Sequence, residues 1–310
     1  MANSSQVSHF TLGAFYDTGS LKWLYFVVIL SVYVLMMLSN LLLIIVICSN
    51  KTLHEPMYIF LCSLFVNELF GSTALFPMLL FEIIRDVYTI SVSFCFLQIF
   101  LVHSYAATEF MILAVISYDR YLAVCYPLRY RTRMNGNKVM CLLAFPWFYA
   151  FGIVLVVVLL TSLLQLCEQT VPKVYCNNYS IVKLSCSDTS VNNIYGLFVT
   201  ILTVFGPLLL MMSTYICILK VCFRGSRHTR QKALSTCAPH LASLLNFSFG
   251  VFFEVLGSRF DLQNLHSAVA LVLSLYFLAV QPLFNPLIYG FKLTKVRELC
   301  KNMLHCTVSH

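Results

Sequence analysis

The sequence predicts an all-α membrane protein: a bundle of seven transmembrane helices followed by a short cytoplasmic amphipathic helix. Three observations predict it. Of 310 residues, 60% are hydrophobic and only 10% charged, and the mean hydropathy of +0.84 is far from that of an ordinary soluble domain. Seven stretches, about 24–49, 57–83, 95–122, 138–164, 193–222, 232–258 and 266–290, are long and apolar enough to cross a bilayer, which takes roughly 20 residues each. With the N-terminus outside, the inner side collects fifteen Lys and Arg residues, from Lys51, Arg120 and Arg129 through to Lys301, against five outside: Lys22, Arg85, Lys173, Lys183 and Arg259. That asymmetry is the positive-inside rule, and it sets the orientation.

Taken in order, residues 1–23 form an extracellular N-terminus that is polar and mixed. The first apolar run is too long for the core of a cleavable signal peptide, so span 1 serves as its own insertion signal. Spans 2 and 3 contain Glu68 and Glu109, and span 7 contains Gln281, Pro282, Asn285 and Pro286. Polar groups at lipid depth must face the bundle interior. Residues 24–290 thus form the bundle of a single domain, 1–310, and 291–310 a cytoplasmic tail. The one long connection, 165–192, is extracellular, and loops of that length usually have a job or a tether. The net charge of +8 belongs to the inner face, where it suits anionic membrane lipid and an acidic partner rather than nucleic acid.

Four of the 13 cysteines lie at or beyond the outer face: Cys95, Cys167, Cys176 and Cys186. An even number in an oxidising compartment suggests two disulfides, with three possible pairings. Asn3 and Asn178 head glycosylation sequons on the outer side, whereas the sequons at Asn50 and Asn246 fall inside or in the membrane. Cys300 and Cys306 follow a short amphipathic segment and are palmitoylation candidates, with unmodified thiols the alternative.

Two motifs carry a mechanism. Asp119-Arg120-Tyr121 closes span 3; a guanidinium there is costly unless paired, and the adjacent Asp119 can hold it at rest. Releasing Arg120 when helices part gives a two-state element that an inner-face partner can stabilise. In Asn285-Pro286-Leu287-Ile288-Tyr289, Pro286 removes a helical hydrogen bond and permits a kink. Asn285 can bridge to facing helices, and Tyr289 can swing towards Arg120. Glu68 and Glu109 must pair, protonate or bind a cation. With Asn40 and Asn285 they are placed to form an inner polar cluster, holding either a sodium ion or one proton shared between two carboxyls.

The string Ser117 to Tyr130, the Asn285–Tyr289 motif, Leu53-His54-Glu55-Pro56-Met57-Tyr58 and Lys232-Ala233-Leu234-Ser235-Thr236-Cys237-Ala238-Pro239-His240-Leu241 stand in order along the chain. Together they resemble the odorant-receptor branch of the rhodopsin-class G-protein-coupled receptors. The resemblance implies disulfides Cys95–Cys176 and Cys167–Cys186, no enzymatic activity, and residence in the plasma membrane. It implies a small-molecule odorant bound in the outer half of the bundle and a stimulatory G protein that raises cyclic AMP. It also implies a ligand pocket among helices 3, 5, 6 and 7: His103, Ala106 and Ala107 on span 3, Leu202 and Phe205 on span 5, Ser248, Val251, Phe252, Val255 and Arg259 on span 6, and Tyr276 on span 7. Arg259 is placed to hold a ligand carboxylate bidentately, as in the receptor group shared with fish (class I), many of which recognise acids. An interfacial Arg paired with Asp261, Glu254 or lipid phosphate is the other reading. The chain departs from many receptors of the class in lacking a Trp and Pro toggle in span 6, where it has Ser248 and Gly250.

Three rival functions make other demands on the sequence. A transporter or channel predicts inverted repeats, paired broken helices or rings of charge, and the sequence has none. A membrane enzyme needs a metal cluster or nucleophile motif; His103 and Glu109 are six residues apart and nothing completes a site. A non-olfactory receptor of the same class, for a small metabolite, is the alternative that remains.

Overall fold

The computed structural model describes residues 7–13, 22–85, 88–224, 227–259, 267–293 and 295–299, with backbone alone for 227–230, 232–236, 256–259, 267–274 and 277. Seven long helices form in the order expected: α1 Lys22–Ser49, α2 Pro56–Arg85, α3 Val92–Cys125, α4 Gly136–Ser162, α5 Ser190–Arg224, α6 Arg227–Arg259 and α7 Ser267–Lys292. Among the described residues the first five are long and apolar enough by composition to cross a membrane. A further helical stretch, 295–299, follows α7.

Several helices overrun their apolar cores. α6 has 33 residues, about 50 Å at 1.5 Å per residue, against a hydrocarbon core of about 30 Å. Its first turns, from Arg227, precede the apolar run at 232. α3 begins at Val92 because Ser91 caps it, accepting from the Phe94 amide at 3.4 Å, and Asn135 caps α4 through the Lys138 amide at 2.9 Å. Such caps satisfy amide groups that the first helical turn leaves without partners.

α3 is the central pillar, packed against α2, α4, α5 and α6, while α1 lies on α2 and α7, and α6 on α7. One large core of Leu, Ile, Val and aromatic side chains runs through the bundle. A second, smaller core sits at the outer end around Phe10, Leu12, Ile99 and the Cys95–Cys176 disulfide.

The outer end also carries a three-stranded sheet that the all-α expectation omits. β1 His9–Leu12 pairs antiparallel with β2 Thr89–Ser91 and parallel with β3 Thr170–Val171. Strands of two to four residues leave little periodicity in a sequence. The sheet ties the N-terminal segment and the loop 165–192 to the start of α3, burying Phe10 and Leu12 completely.

Candidate functional site

Cys176 in the long loop is bonded to Cys95 on α3, and Cys167 to Cys186 within the loop, the pairs the family resemblance implies. The first fastens the loop over the bundle; the second closes it on itself. Beneath it lies a cavity of about 190 Å³, below the ~300–1,000 Å³ usual for drug-sized ligands.

α3 gives the cavity Val102, His103, Ala106, Ala107 and Phe110, and α6 gives Val251, Glu254 and Val255. His103 Nδ1 faces the Ile99 carbonyl at 2.9 Å. A carbonyl only accepts, so this nitrogen carries the proton in the bond. α5 contributes Thr200, Thr203 and Val204, α4 contributes Val154 and Val157, and the loop contributes Tyr175, Asn177 and Asn178.

This wall corrects the sequence expectation in several places. Leu202 and Phe205 point outwards, 46% and 57% exposed. A π-helical turn, Ile201–Phe205, lies here within α5, and Thr203 and Val204 are the residues that reach the cavity, on the same face as Gly196 and Thr200. Phe252, 58% exposed, is also off the wall, for it stands one residue from the inward pair Val251 and Val255. Tyr276 lies at the α6–α7 contact, where its hydroxyl donates to Asn246 Oδ1 at 2.8 Å. Ser248 does not line the cavity; its hydroxyl is buried without a partner. Among the described residues, α4 and the loop supply wall that the resemblance gives to helix 7. The Arg259 side chain, Asn3, Cys300 and Cys306 lie outside the described residues. Asn178 is half-buried at the cavity, its Oδ1 accepting from the buried Thr161 hydroxyl at 2.7 Å.

Glu254, named from the sequence only as an alternative partner of Arg259, is a wall residue. Lys173 donates to its Oε1 at 2.5 Å and Asn177 Nδ2 to the same oxygen at 2.9 Å. The amide of Asn177 also caps a helical turn, Asn178–Lys183, through the Tyr179 amide at 3.0 Å. Lys173 and Glu254 are 81 residues apart, and no helical period links a loop lysine to a span glutamate. The usable signal was the carboxylate itself, sitting in an apolar run.

Below the cavity the polar core is fully buried: Asn40, Asn67, Glu68, Glu109, Gln281 and Asn285 are each 0% exposed. Glu109 Oε2 accepts from Asn67 at 2.9 Å, and its Oε1 accepts from Gln281 at 3.2 Å and from Asn285 at 3.1 Å. Glu68 accepts from Tyr105 at 2.9 Å and from Asn285. Asn40 does not join them; it donates to the Pro282 carbonyl at 2.8 Å, the acceptor freed where Pro286 supplies no N–H. Among the described residues no three His, Cys, Asp or Glu side chains are grouped to hold a metal.

At the inner end Arg120 Nε donates to Asp119 Oδ2 at 3.0 Å, and the Tyr130 hydroxyl donates to Asp119 Oδ1 at 2.6 Å. Burial, then the Asp119 hydrogen bond, hold the Tyr130 phenol well above its usual range, so it remains a donor. Tyr121 meets Tyr126 at 3.3 Å between hydroxyls. Tyr289 is buried and bonded to His240 of α6 at 3.0 Å, so it is held against α6 rather than bonded to Arg120.

A loop-roofed cavity, a buried polar core and a capped Arg–Asp pair, stacked along seven helices, define a rhodopsin-like receptor architecture. The fold is that of squid rhodopsin, with a TM-score of 0.76 at 17% identity, over 93% of this chain and 87% of that one. The chain belongs to the olfactory receptor family, whose family model matches residues 29–306. It is 35% identical to human olfactory receptor 11A1 over 302 residues, 96% of this chain and 94% of the relative. It is likewise 35% identical to human olfactory receptor 52B2 over 269 residues, 86% and 83%. It is therefore a multi-pass membrane protein of a receptor family, not an enzyme.

Proposed function

We propose that this chain detects small, largely apolar odorants in the cavity under the loop 165–192. It relays their binding to a heterotrimeric stimulatory G protein that raises cyclic AMP, from the plasma membrane with its N-terminus outside. The observation that carries this is the reach of α6. Its outer half supplies Val251, Glu254 and Val255 to the cavity, and its inner half holds His240 against Tyr289. A ligand that contacts α6 differently in two positions shifts the balance between them. Outward movement of α6 then exposes Arg120, the segment after Pro127 and the basic stretch 220–232 to the G protein.

The test is cyclic-AMP accumulation in cells displaying the chain, challenged with acids, amines, alcohols and steroids. Ala106→Trp, which fills the cavity, should abolish any response, while Phe252→Ala, off the wall, should preserve it. A response indifferent to Ala106→Trp would move the ligand site elsewhere. A non-olfactory receptor for a small metabolite would use the same geometry, and finding the transcript only outside olfactory epithelium would favour it. The carboxylic-acid reading attaches to Arg259, and the acid arm of the panel tests it.

The polar core suits a proton shared by two carboxyls better than sodium. Asn67, Gln281, Asn285 and Tyr105 all aim N–H or O–H donors at the carboxyl oxygens. A cation would want oxygens turned towards it.

A further inference from the structure

We infer that Gly196 opens an arm of the cavity between α4 and α5 that takes the alkyl end of the ligand, and that this residue sets the longest chain the receptor accepts. The inference rests on the cavity being the ligand site. α4 and α5 run antiparallel here, and polar contacts join them as rungs. Asn192 Nδ2 donates to Thr161 Oγ1 at 3.5 Å, and the Tyr195 hydroxyl donates to the Ile153 carbonyl at 3.4 Å. Further in, the Tyr149 and Thr203 hydroxyls lie 3.4 Å apart. One helical turn inwards from Asn192 and Thr161 come Gly196 and Val157, both on the cavity wall. This rung is empty: a Cβ at Gly196 would meet nothing within 4 Å beyond its own helical backbone.

The gap has a use to explain it, because glycine within a helix is less favourable than alanine and nothing here forbids a methyl group. Its surroundings are apolar. The α4 wall beside it is Ile153, Val154 and Val157. The Thr200 hydroxyl, one turn further along α5, donates to the Gly196 carbonyl at 2.8 Å, so its proton is already engaged. The amides of Asn177, Asn178 and Asn192 stand nearer the loop. A neutral ligand with one hydroxyl and an unbranched chain therefore sets its hydroxyl among amides and its chain in the arm.

The probes are the 1-alkanols from butanol to decanol, which differ only in chain length. Two readouts are taken: thermal stabilisation of the purified full-length receptor, and cyclic AMP in cells with display confirmed. Wild type is compared with Gly196→Ala, Gly196→Val, Val157→Ala and Gly152→Ala. Gly152 of α4 also has open space where a Cβ would stand, but it is exposed and off the cavity wall. It controls for the loss of a helical glycine as such. Comparing variant with wild type at each length cancels partitioning into detergent. Alanine is the better helix former, so the unliganded Gly196→Ala receptor should melt no lower than wild type.

In wild type the response should climb with chain length to a longest accepted alkanol and then fall. Gly196→Ala should shorten that limit by about one carbon and Gly196→Val by about two, each CH2 left outside weakening binding about fourfold. Butanol should be unaffected. Val157→Ala should lengthen the limit, and Gly152→Ala should leave it where it was. A limit unmoved in both Gly196 variants, a loss equal at every length, or stabilisation by no alkanol would overturn the inference. Ala106→Trp at matched display separates that failure from failure of the site. If it abolishes alkanol binding while the Gly196 variants keep the wild-type limit, the cavity stands and the arm falls. Binding that survives Ala106→Trp removes both. Stabilisation that follows the length rule without any cyclic-AMP response upholds the arm and sinks the proposed G-protein coupling.

Discussion

Gly71 of α2 stands so close to Tyr105 of α3 that a methyl group at residue 71 would lie 2.4 Å from the ring. The ring is 0% exposed and its hydroxyl donates to Glu68 at 2.9 Å, so it is held from both ends. Gly71→Ala must therefore push the ring or part the helices. Overpacking of this kind costs about 1–3 kcal/mol, and the purified receptor should melt at a lower temperature. Gly71→Ala combined with Tyr105→Leu, which removes the obstructing ring, should recover less than it loses, because Glu68 then lacks its hydroxyl donor. An unchanged melting curve for Gly71→Ala alone would mean that α2 and α3 are further apart than described.

Tyr130 and Arg120 share the Asp119 carboxylate, one oxygen each. Tyr130→Phe deletes a charge-assisted hydrogen bond of the kind worth about 1.5–3 kcal/mol. If the cap holds Arg120 at rest, ligand-free cyclic AMP should rise several-fold in Tyr130→Phe at matched surface display. Asp119→Asn, which weakens both bonds, should raise it further. Basal signalling equal to wild type in both variants would show that the cap does not govern the resting state. Because the phenol is held well above its usual range, the wild-type basal level should not vary through loss of this proton up to mildly alkaline pH.

Much of this was legible in the chain and some was not, for physical reasons. The spans declare themselves because a bilayer demands length and apolarity, and Glu68, Glu109 and Asn285 because a polar group at that depth needs an inward partner. What escaped was phase and pairing. The family resemblance gives Leu202 and Phe205 to the pocket, whereas the α5 face that meets the cavity carries Gly196, Val199, Thr200, Thr203 and Val204. Gln281 was noticed only as an interruption of span 7, though it bonds both Glu109 and Ser243. The strand His9–Leu12 pairs with partners about 80 and 160 residues away, and pairing that distant leaves no mark on local pattern.

The two disulfides should differ in effect. Cys95–Cys176 closes a separation of 81 residues and Cys167–Cys186 one of 19. Chain entropy alone gives about 4–5 kcal/mol for the first and about 3 kcal/mol for the second. The first also fastens Asn177 and Lys173 near Glu254. Cys176→Ser should lower surface display and ligand response severely. Cys186→Ser should leave a measurable receptor with reduced thermal stability. The reverse order would mean that closing the loop on itself matters more than its attachment to α3.

The two buried glutamates are unequal in their hydrogen bonds, and this separates a shared proton from a sodium ion. Glu109 accepts from three amide groups, Asn67, Gln281 and Asn285. Glu68 accepts from Asn285 and from the Tyr105 hydroxyl, which can rotate to accept instead. A proton shared between them is therefore better lodged on Glu68, and a glutamine there imitates the protonated acid. Glu68→Gln should fold and melt close to wild type. Glu109→Gln keeps one acceptor oxygen but sets its NH2 against the donor or donors on the other side, and Glu109→Ala strands all three; each unsatisfied group costs about 1–3 kcal/mol. Both should fall well below wild type in display and melting temperature. Replacing sodium chloride with N-methylglucamine chloride should leave the wild-type melting temperature where it was. A sodium-dependent rise in that temperature, lost in Glu68→Gln as well as in Glu109→Gln, would put the cation back between the two carboxylates and remove the proton.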